Sequence, residues 1–279
     1  MAKKKSLKQE SATEEMSFWG HLDALRGSLF RSAIAIVVLA IVAFVNREFI
    51  FDSIILAPKE PGFFTNRMLC RLSELVNIPA LCLGNMKLDI ININLSGQFT
   101  THMYISMFAG LIVAAPYVIW EIWRFIRPAL YENERKHSRG AVIIMSILFI
   151  LGVLFSYYLI VPLTLNFFGT YQVSSSVNNQ IALTSYISTV VSVTFSLGVV
   201  FELPVFIYFL AKVGIITDAF LRKNRKYMVV ILLTISAIIT PPDIVSQILV
   251  CIPLYGLYEL SIVVARRAGR NNEEIISKV

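Results

Sequence analysis

The 62 residues at 140–201 contain no Asp, Glu, Lys or Arg. A soluble domain carries charge on about a quarter of its residues, so a stretch of this length would leave too little polar surface in water. The whole chain follows the same trend, with 56% hydrophobic and 15% charged residues and a mean hydropathy of +0.69. The sequence therefore predicts an all-α, polytopic membrane protein, because helices satisfy their own backbone hydrogen bonds in lipid.

Six apolar stretches are candidates for membrane spans. They run over residues 28–45, 103–123, 140–168, 184–211, 227–240 and 244–258. The third and fourth exceed the roughly 20 residues that a bilayer requires, so we expect them to tilt or protrude. The fifth and sixth are shorter, and only Pro241, Pro242 and Asp243 separate them. Since two prolines stop a helix sharply, we predict a tight antiparallel hairpin there.

The distribution of basic residues predicts the orientation. Lys and Arg collect after the second and fourth stretches and in the C-terminal tail, whereas the connections after the third and fifth contain none. Both termini should therefore be cytoplasmic. We divide the chain into a cytoplasmic N-terminal segment (1–27), a six-span membrane domain (28–265) with a long outward loop (46–102), and a cytoplasmic tail (266–279).

The outward loop contains an alternating stretch at 87–95, which predicts a short strand. It also contains Cys70 and Cys82, which could form a disulfide on an oxidising side or remain two buried thiols. Cys251 lies in an apolar stretch and is expected to be a packing residue. The net charge of +7 does not favour nucleic acid, because the basic residues lie in short runs between apolar stretches.

Catalytic and cofactor motifs are missing from the sequence. It has no GxxxxGK[ST], GxGxxG, HExxH or GxSxG pattern. His21, His102 and His137 are far apart and show no metal-ligand spacing. We therefore expect no enzyme activity, no metal and no cofactor.

Carboxylates within or next to the apolar stretches are the informative residues. Glu202 lies inside the fourth stretch, two residues before Pro204. A charge there is costly and usually functional, although a structural hydrogen bond to a neighbouring span is the alternative. Glu121 and Glu259 lie near span ends, where an interfacial anchor is nearly as good an explanation. Arg31, near the start of the first span, is expected to snorkel to the interface.

Glu132 and Glu134 stand out in a cytoplasmic loop that is otherwise basic. A carboxylate there could bind an arginine guanidinium through a two-pronged, charge-assisted pair. Local neutralisation by Arg135 and Lys136 is the simpler reading from the residues alone.

Six motifs in this order resemble the TatC family, the multispanning subunit of the twin-arginine protein translocase. They are HLDALR (21–26), LAP (56–58), FIRPALYENER (125–135), FELP (201–204), TPPDIVSQ (240–247) and IPLYGLYE (252–259). The resemblance covers roughly residues 17–267 and is weakest at 59–94. It implies a concave, glove-like bundle of six tilted helices in the bacterial cytoplasmic (inner) membrane.

The resemblance also implies a function. TatC-like proteins bind the signal peptides of folded precursors that carry paired arginines, assemble with the single-span partners TatA and TatB, and use the proton gradient. Self-association is a further expectation.

Family roles transfer position by position. Glu134 matches the glutamate that contacts the twin arginines, Phe125 and Pro128 match residues that shape its loop, and Arg26 belongs to the N-terminal motif. Glu202, followed by Pro204, matches the intramembrane glutamate tied to partner contact, and Pro58 matches the proline of the outward loop. The residues that match the outward tip and the start of span six, where small partners dock in the family, are Thr240, Pro241, Pro242, Asp243 and Gln247.

One position departs from the family pattern. The motif usually reads HLxELR, but this chain has Ala24 at the glutamate position and an acid one residue earlier, at Asp23. One residue on a helix is a turn of about 100°, so Asp23 cannot simply replace that glutamate. Either the segment is not regular helix, or binding depends on Glu134, or another acid such as Glu121 compensates.

Two other function classes are the alternatives to this one. A small-solute or ion transporter would use Glu202 as a proton or cation site. An intramembrane enzyme would need a catalytic pairing that the sequence lacks.

Overall fold

The computed structural model describes residues 18–76, 88–126, 138–172, 174, 179–240 and 244–276. Its α-helices in chain order are α1 (Phe18–Val45), α2 (Phe64–Val76), α3 (Gly97–Ile126), α4 (Ser138–Phe155), α5 (Val161–Thr170), α6 (Leu183–Val200), α7 (Leu203–Lys212), α8 (Asp218–Lys223), α9 (Arg225–Ile239) and α10 (Ile244–Ile276). A π-helical segment (Phe49–Ile55) and a short 3-10 helix (Ala57–Lys59) follow α1, and a second π-helical segment (Ser156–Ile160) joins α4 to α5.

Five helical segments of the described chain are long and apolar enough to cross a membrane. They are Leu22–Val45, Gly97–Ile126, Gly140–Thr170, Leu183–Lys212 and Ser246–Arg267. The all-α membrane class is thus confirmed, and the third and fourth spans are long, as predicted. Helix α9 has 15 residues, or about 22 Å against a hydrocarbon core of about 30 Å. The fifth predicted span, which corresponds to α9, and the positions of the termini therefore stay predictions.

The last helix is longer than its apolar stretch. The sixth apolar stretch ends at Tyr258, but α10 continues to Ile276. The charged residues after Tyr258 do not interrupt it, because Glu, Arg and Ala are good helix formers. The predicted tail at 266–279 thus begins inside this helix.

Helices α1 and α3 pack antiparallel along their length. Glu121 contacts Arg31 near one end, Gly110 faces Ala40 in the middle, and His102 contacts Phe44 near the other end. The backbones meet closely at Gly110, where an added Cβ would lie 2.5 Å from the Ala40 nitrogen. Small residues of this kind allow membrane helices to approach and gain van der Waals contact.

Gly110→Ala is therefore expected to destabilise the protein, because the Ala40 backbone cannot move aside as a flexible side chain could. Gly140→Ala in α4 is the matched control, since nothing lies within 4 Å of its added Cβ and alanine favours a helix over glycine by about 0.5–1 kcal/mol. Thermal unfolding in detergent should give a lower Tm for the first variant and an equal or higher Tm for the second. A Gly110→Ala protein as stable as the control would contradict the close α1–α3 contact.

The span formed by α6 and α7 is the most enclosed, with 50% of its most apolar window buried, against 17% for the span in α1. It crosses α4 closely, since an added Cβ at Gly152 would lie 2.8 Å from the Leu197 carbonyl oxygen. This span is therefore the centre of the bundle, and α1 has one side facing lipid.

The segment between the first and second spans contributes a strand. Strand β1 (Ile90–Ile91) pairs in parallel with β2 (Ile181–Ala182), which immediately precedes α6. The predicted strand is thus present but covers only two residues of 87–95. Ile90 and Ile181 pack against a buried cluster that contains Tyr186. The two paired strands therefore cover the ends of the helices at this side of the bundle.

Candidate functional site

An ion-pair cluster joins α1 to α3 at the end of the bundle where α1 begins and α3 ends. The Arg31 Nε and one Nη each donate to the Glu121 carboxylate at 2.9 Å. The Tyr117 hydroxyl donates to the same carboxylate at 3.2 Å, and Arg124 lies 3.9 Å away. The Arg31 side chain also reaches the Ser28 hydroxyl at 3.2 Å.

Burial makes this pair more than a surface contact. The Glu121 side chain is 1% exposed and that of Arg31 is 44% exposed. A charged partner stabilises a carboxylate that is withdrawn from solvent, and the planar guanidinium supplies two parallel hydrogen bonds. Whether Arg31 reaches the interface stays a prediction, and the structure adds that its partner lies on the neighbouring helix. The sequence signal that could have found it is one cation and one carboxylate in adjacent apolar spans, since such charges usually pair.

Helix α1 is a continuous α-helix at residues 21–26, where the sequence departs from the family motif. Ala24 lies seven residues before Arg31, which places both positions on nearly the same face, about 20° apart. Asp23 and Arg26 lie on other faces and are exposed. The segment is thus helical, and Asp23 does not lie on the same helix face as Ala24.

The charged start of α1 and the last turn of α3 lie at the same level of the bundle. Arg26 is five residues before Arg31, and Phe125 is four residues after Glu121. At 1.5 Å per residue both lie about 6–8 Å beyond the Arg31–Glu121 pair, in the same direction because the helices are antiparallel. Residues 127–137 follow directly, and Pro128, Glu132 and Glu134 in that segment lie outside the described residues.

Glu202 lies at a break between α6 and α7. Pro204 has no backbone N–H and its ring excludes the carbonyl of the residue four positions earlier, so the helix ends at Val200 and restarts at Leu203. Both carboxylate oxygens of Glu202 are buried, and neither has a hydrogen-bond partner in the part of the chain that the structure describes. A buried, unpartnered carboxylate is costly and is typical of a functional position.

The predicted hairpin of α9 and α10 is confirmed, and polar contacts hold it together. The Gln247 amide donates to the Leu233 carbonyl at 3.0 Å. Thr240 is buried at the end of α9, and its hydroxyl donates within that helix end to the Ser236 carbonyl at 2.9 Å. Arg225 pairs with Glu259 at 2.7 Å. Pro241 and Pro242 at the tip lie outside the described residues.

The remaining predicted positions are structural. Pro58 is buried in the 3-10 helix, and its carbonyl accepts from the Asn66 amide at 3.3 Å. Cys70 is disulfide-bonded and Cys251 is a free thiol. Cys82 lies outside the described residues, so its pairing with Cys70 stays a prediction. Within the described ranges, no three His, Cys, Asp or Glu side chains are grouped so that they could hold a metal ion.

An apolar cavity of about 610 Å³ opens between α1, α3, α4, α6 and the two π-helical segments. Ile54, Phe108, Val153 and Thr194 are among the residues that line it. Glu202 does not contribute to its lining. The cavity and the buried carboxylate are therefore separate features of the bundle.

Comparisons with known proteins agree on one family. The family model described as "Sec-independent protein translocase protein (TatC)" matches residues 20–253. The protein of that name from Blattabacterium sp. subsp. Periplaneta americana is 38% identical over 253 residues, which cover 90% of this chain and 95% of the relative. Its counterpart from Campylobacter jejuni is 34% identical over 249 residues, which cover 89% of this chain and 93% of the relative. A crystal structure described as "Twin Arginine Translocase Receptor- TatC in DDM" superposes with a TM-score of 0.71 at 31% identity, covering 88% of this chain and 99% of that one.

Proposed function

Because the chain belongs to the TatC family of Sec-independent protein translocase subunits, we propose that it is the signal-peptide receptor and core subunit of a twin-arginine translocase. The observation that carries this proposal is the family match across residues 20–253, which includes both ends of the predicted binding region. The solved relative is itself described as a twin-arginine translocase receptor. Transport of proteins across a membrane, rather than catalysis, is the activity of the family.

The arginine-binding site of this proposal centres on Glu134. A carboxylate binds a guanidinium through two parallel hydrogen bonds, which gives the geometric selectivity for Arg over Lys. The segment that carries Glu134 starts directly after α3, and Arg26 and Phe125 lie at this same end of the bundle. We propose that Asp23, Arg26 and Phe125 border the bound peptide.

The role of Glu121 as a second signal contact stays a hypothesis. Its carboxylate is already engaged by Arg31 at 2.9 Å, so an incoming arginine would have to displace that partner. We therefore propose Glu134 as the principal contact and treat Glu121 first as the residue that holds α1 against α3.

Assembly with single-span TatA- and TatB-like partners is the second part of the proposal. The buried oxygens of Glu202, which have no hydrogen-bond partner within the described ranges, offer an acceptor to a polar group on another helix. Thr240, Pro241, Pro242 and Gln247 form the second proposed contact, at the tip of the α9–α10 hairpin. In the proposed arrangement the protein lies in the bacterial inner membrane with both termini inside, and the proton gradient drives export.

Binding of a paired-arginine signal peptide tests the function directly. The detergent-solubilised protein should retain such a peptide on an affinity resin and lose it when Lys-Lys replaces Arg-Arg, because an ammonium cannot reproduce the bidentate pair. Equal retention of both peptides would contradict the arginine-specific receptor. Failure to bind either peptide, together with saturable uptake of a small solute, would instead support the transporter.

A further inference from the structure

Helix α2 has its polarity inverted relative to a helix on a water-soluble surface. It buries polar residues against the protein, and Thr65, Asn66 and Ser73 are at most 6% exposed. It presents an apolar stripe on the outside, which consists of Phe64 (59% exposed), Met68 (57%), Leu72 (43%) and Leu75 (82%). At 100° per residue these four positions fall within roughly 80° of arc. In water the two faces would be exchanged.

Contacts with the protein fix this orientation. The Thr65 hydroxyl donates to the Tyr158 carbonyl, and the Asn66 amide donates to the Glu60 carbonyl at 2.9 Å. The Phe63 ring stacks on Tyr158 at 5.5 Å, and Phe64 meets the same ring edge-on at 6.3 Å. The polar face is thus held against the bundle, and the stripe beyond Phe64 points away from it, at Met68, Leu72 and Leu75.

The anchoring residue lies at a defined level of the bilayer. Tyr158 is 18 residues after Gly140, where the apolar span begins, and at 1.5 Å per residue it lies about 27 Å from that start. The hydrocarbon core is about 30 Å thick. The first turn of α2 therefore lies near the membrane boundary opposite to Gly140. Tyr158 is 42% exposed, as is common for tyrosines at membrane–water boundaries.

Two arginines border the stripe on the side away from the packed face. Arg67 and Arg71 are exposed, one helical turn apart, and in the described part of the chain neither has an ion-pair partner. Guanidinium groups beside an apolar stripe match the anionic phosphates of lipid headgroups above the acyl chains. In a helix that faces water, arginines placed beside an exposed apolar stripe would not stabilise the protein.

We propose that α2 is an interfacial helix whose apolar stripe is buried in the outer part of a phospholipid leaflet, with Arg67 and Arg71 at the headgroup phosphates. The partner is the bilayer itself rather than another protein. The helix thus fastens the segment between the first and second spans to the membrane surface. This inference does not depend on the proposed receptor function, and either one can fail alone.

Nitroxide labels on the full chain in vesicles test the proposal. Labels are attached to cysteines placed at Met68 or Leu72 in a Cys251→Ser background, and a label at Glu74 on the same helix is the matched control. Vesicles contain three parts phosphatidylcholine to one part phosphatidylglycerol. We expect the Met68 and Leu72 labels to collide readily with oxygen and severalfold less than the Glu74 label with a water-soluble nickel complex. Unchanged Tm values show that each labelled protein is folded.

Two results would overturn the proposal. Nickel collision at Met68 and Leu72 equal to that at Glu74 would place the stripe in water. Protection of these labels from both reagents would mean that protein, including a co-purified single-span partner, covers the stripe. The contribution of the arginines has its own measurement, since Arg67→Gln with Arg71→Gln should make the Leu72 label shallower in these vesicles. An unchanged depth would contradict the phosphate contacts.

Discussion

Replacing Glu134 with lysine is expected to abolish binding of a paired-arginine signal peptide and export of a precursor that carries it. The substitution removes a charge-assisted acceptor worth about 1.5–3 kcal/mol and adds repulsion, so affinity should fall by at least about tenfold. Titration of a fluorescent signal peptide against the purified protein measures the affinity, and export from cells measures the consequence.

Glu132→Lys is the matched control, because it makes the same charge change two residues away. It lowers the general attraction for a basic peptide but leaves the proposed contact, so its effect should be much smaller. Equal losses in the two variants would mean that the loop acts through its net charge. Full export by the Glu134→Lys protein would contradict the proposed arginine contact.

Replacing Arg31 with alanine is expected to give the largest loss of stability among substitutions in the described helices of this site. It leaves the Glu121 carboxylate, 1% exposed, without its bidentate partner. Removing one member of an ion pair is strongly destabilising when the charge left behind is withdrawn from solvent, so we expect a clear loss even though Arg31 itself is partly exposed. The free energy of unfolding in detergent, or the Tm, measures it.

Arg225→Ala provides the control. It also breaks an Arg–Glu pair between two helices. The side chains of Arg225 and Glu259 are 47% and 34% exposed, however, and exposed pairs contribute about 0–1 kcal/mol. The double variant Arg31→Ala with Glu121→Ala should recover part of the loss, since no unpaired carboxylate remains. Equal losses for Arg31→Ala and Arg225→Ala would contradict the assignment of Glu121 as a buried, dependent charge.

The neutral pair Arg31→Gln with Glu121→Gln separates packing from recognition. If Glu121 is a second signal contact, this variant should bind the paired-arginine peptide more weakly even when its Tm is close to that of the original protein. Unchanged binding would exclude the compensation for Ala24 and leave Glu134 as the principal acid.

The sequence predicted the class of fold well because hydropathy is a property of consecutive residues. The uncharged stretch at 140–201 required membrane helices, and the double proline predicted the hairpin that joins α9 to α10. Helix ends are harder to predict where the sequence has no helix-breaking residue. Helix α10 therefore extends to Ile276, although its apolar stretch ends near Tyr258.

The sequence by itself thus determined that the chain spans a membrane, which segments are apolar, and, through its six motifs, which family it belongs to. Only the tertiary structure decided that Arg31 binds Glu121, that Glu202 lies at a helix break without a hydrogen-bond partner among the described residues, and that α2 turns its apolar side outward. The physical reason is that burial in lipid acts on each segment independently. Pairing depends instead on how far two helices are rotated and shifted against each other, and contacts between residues distant in the chain set that rotation.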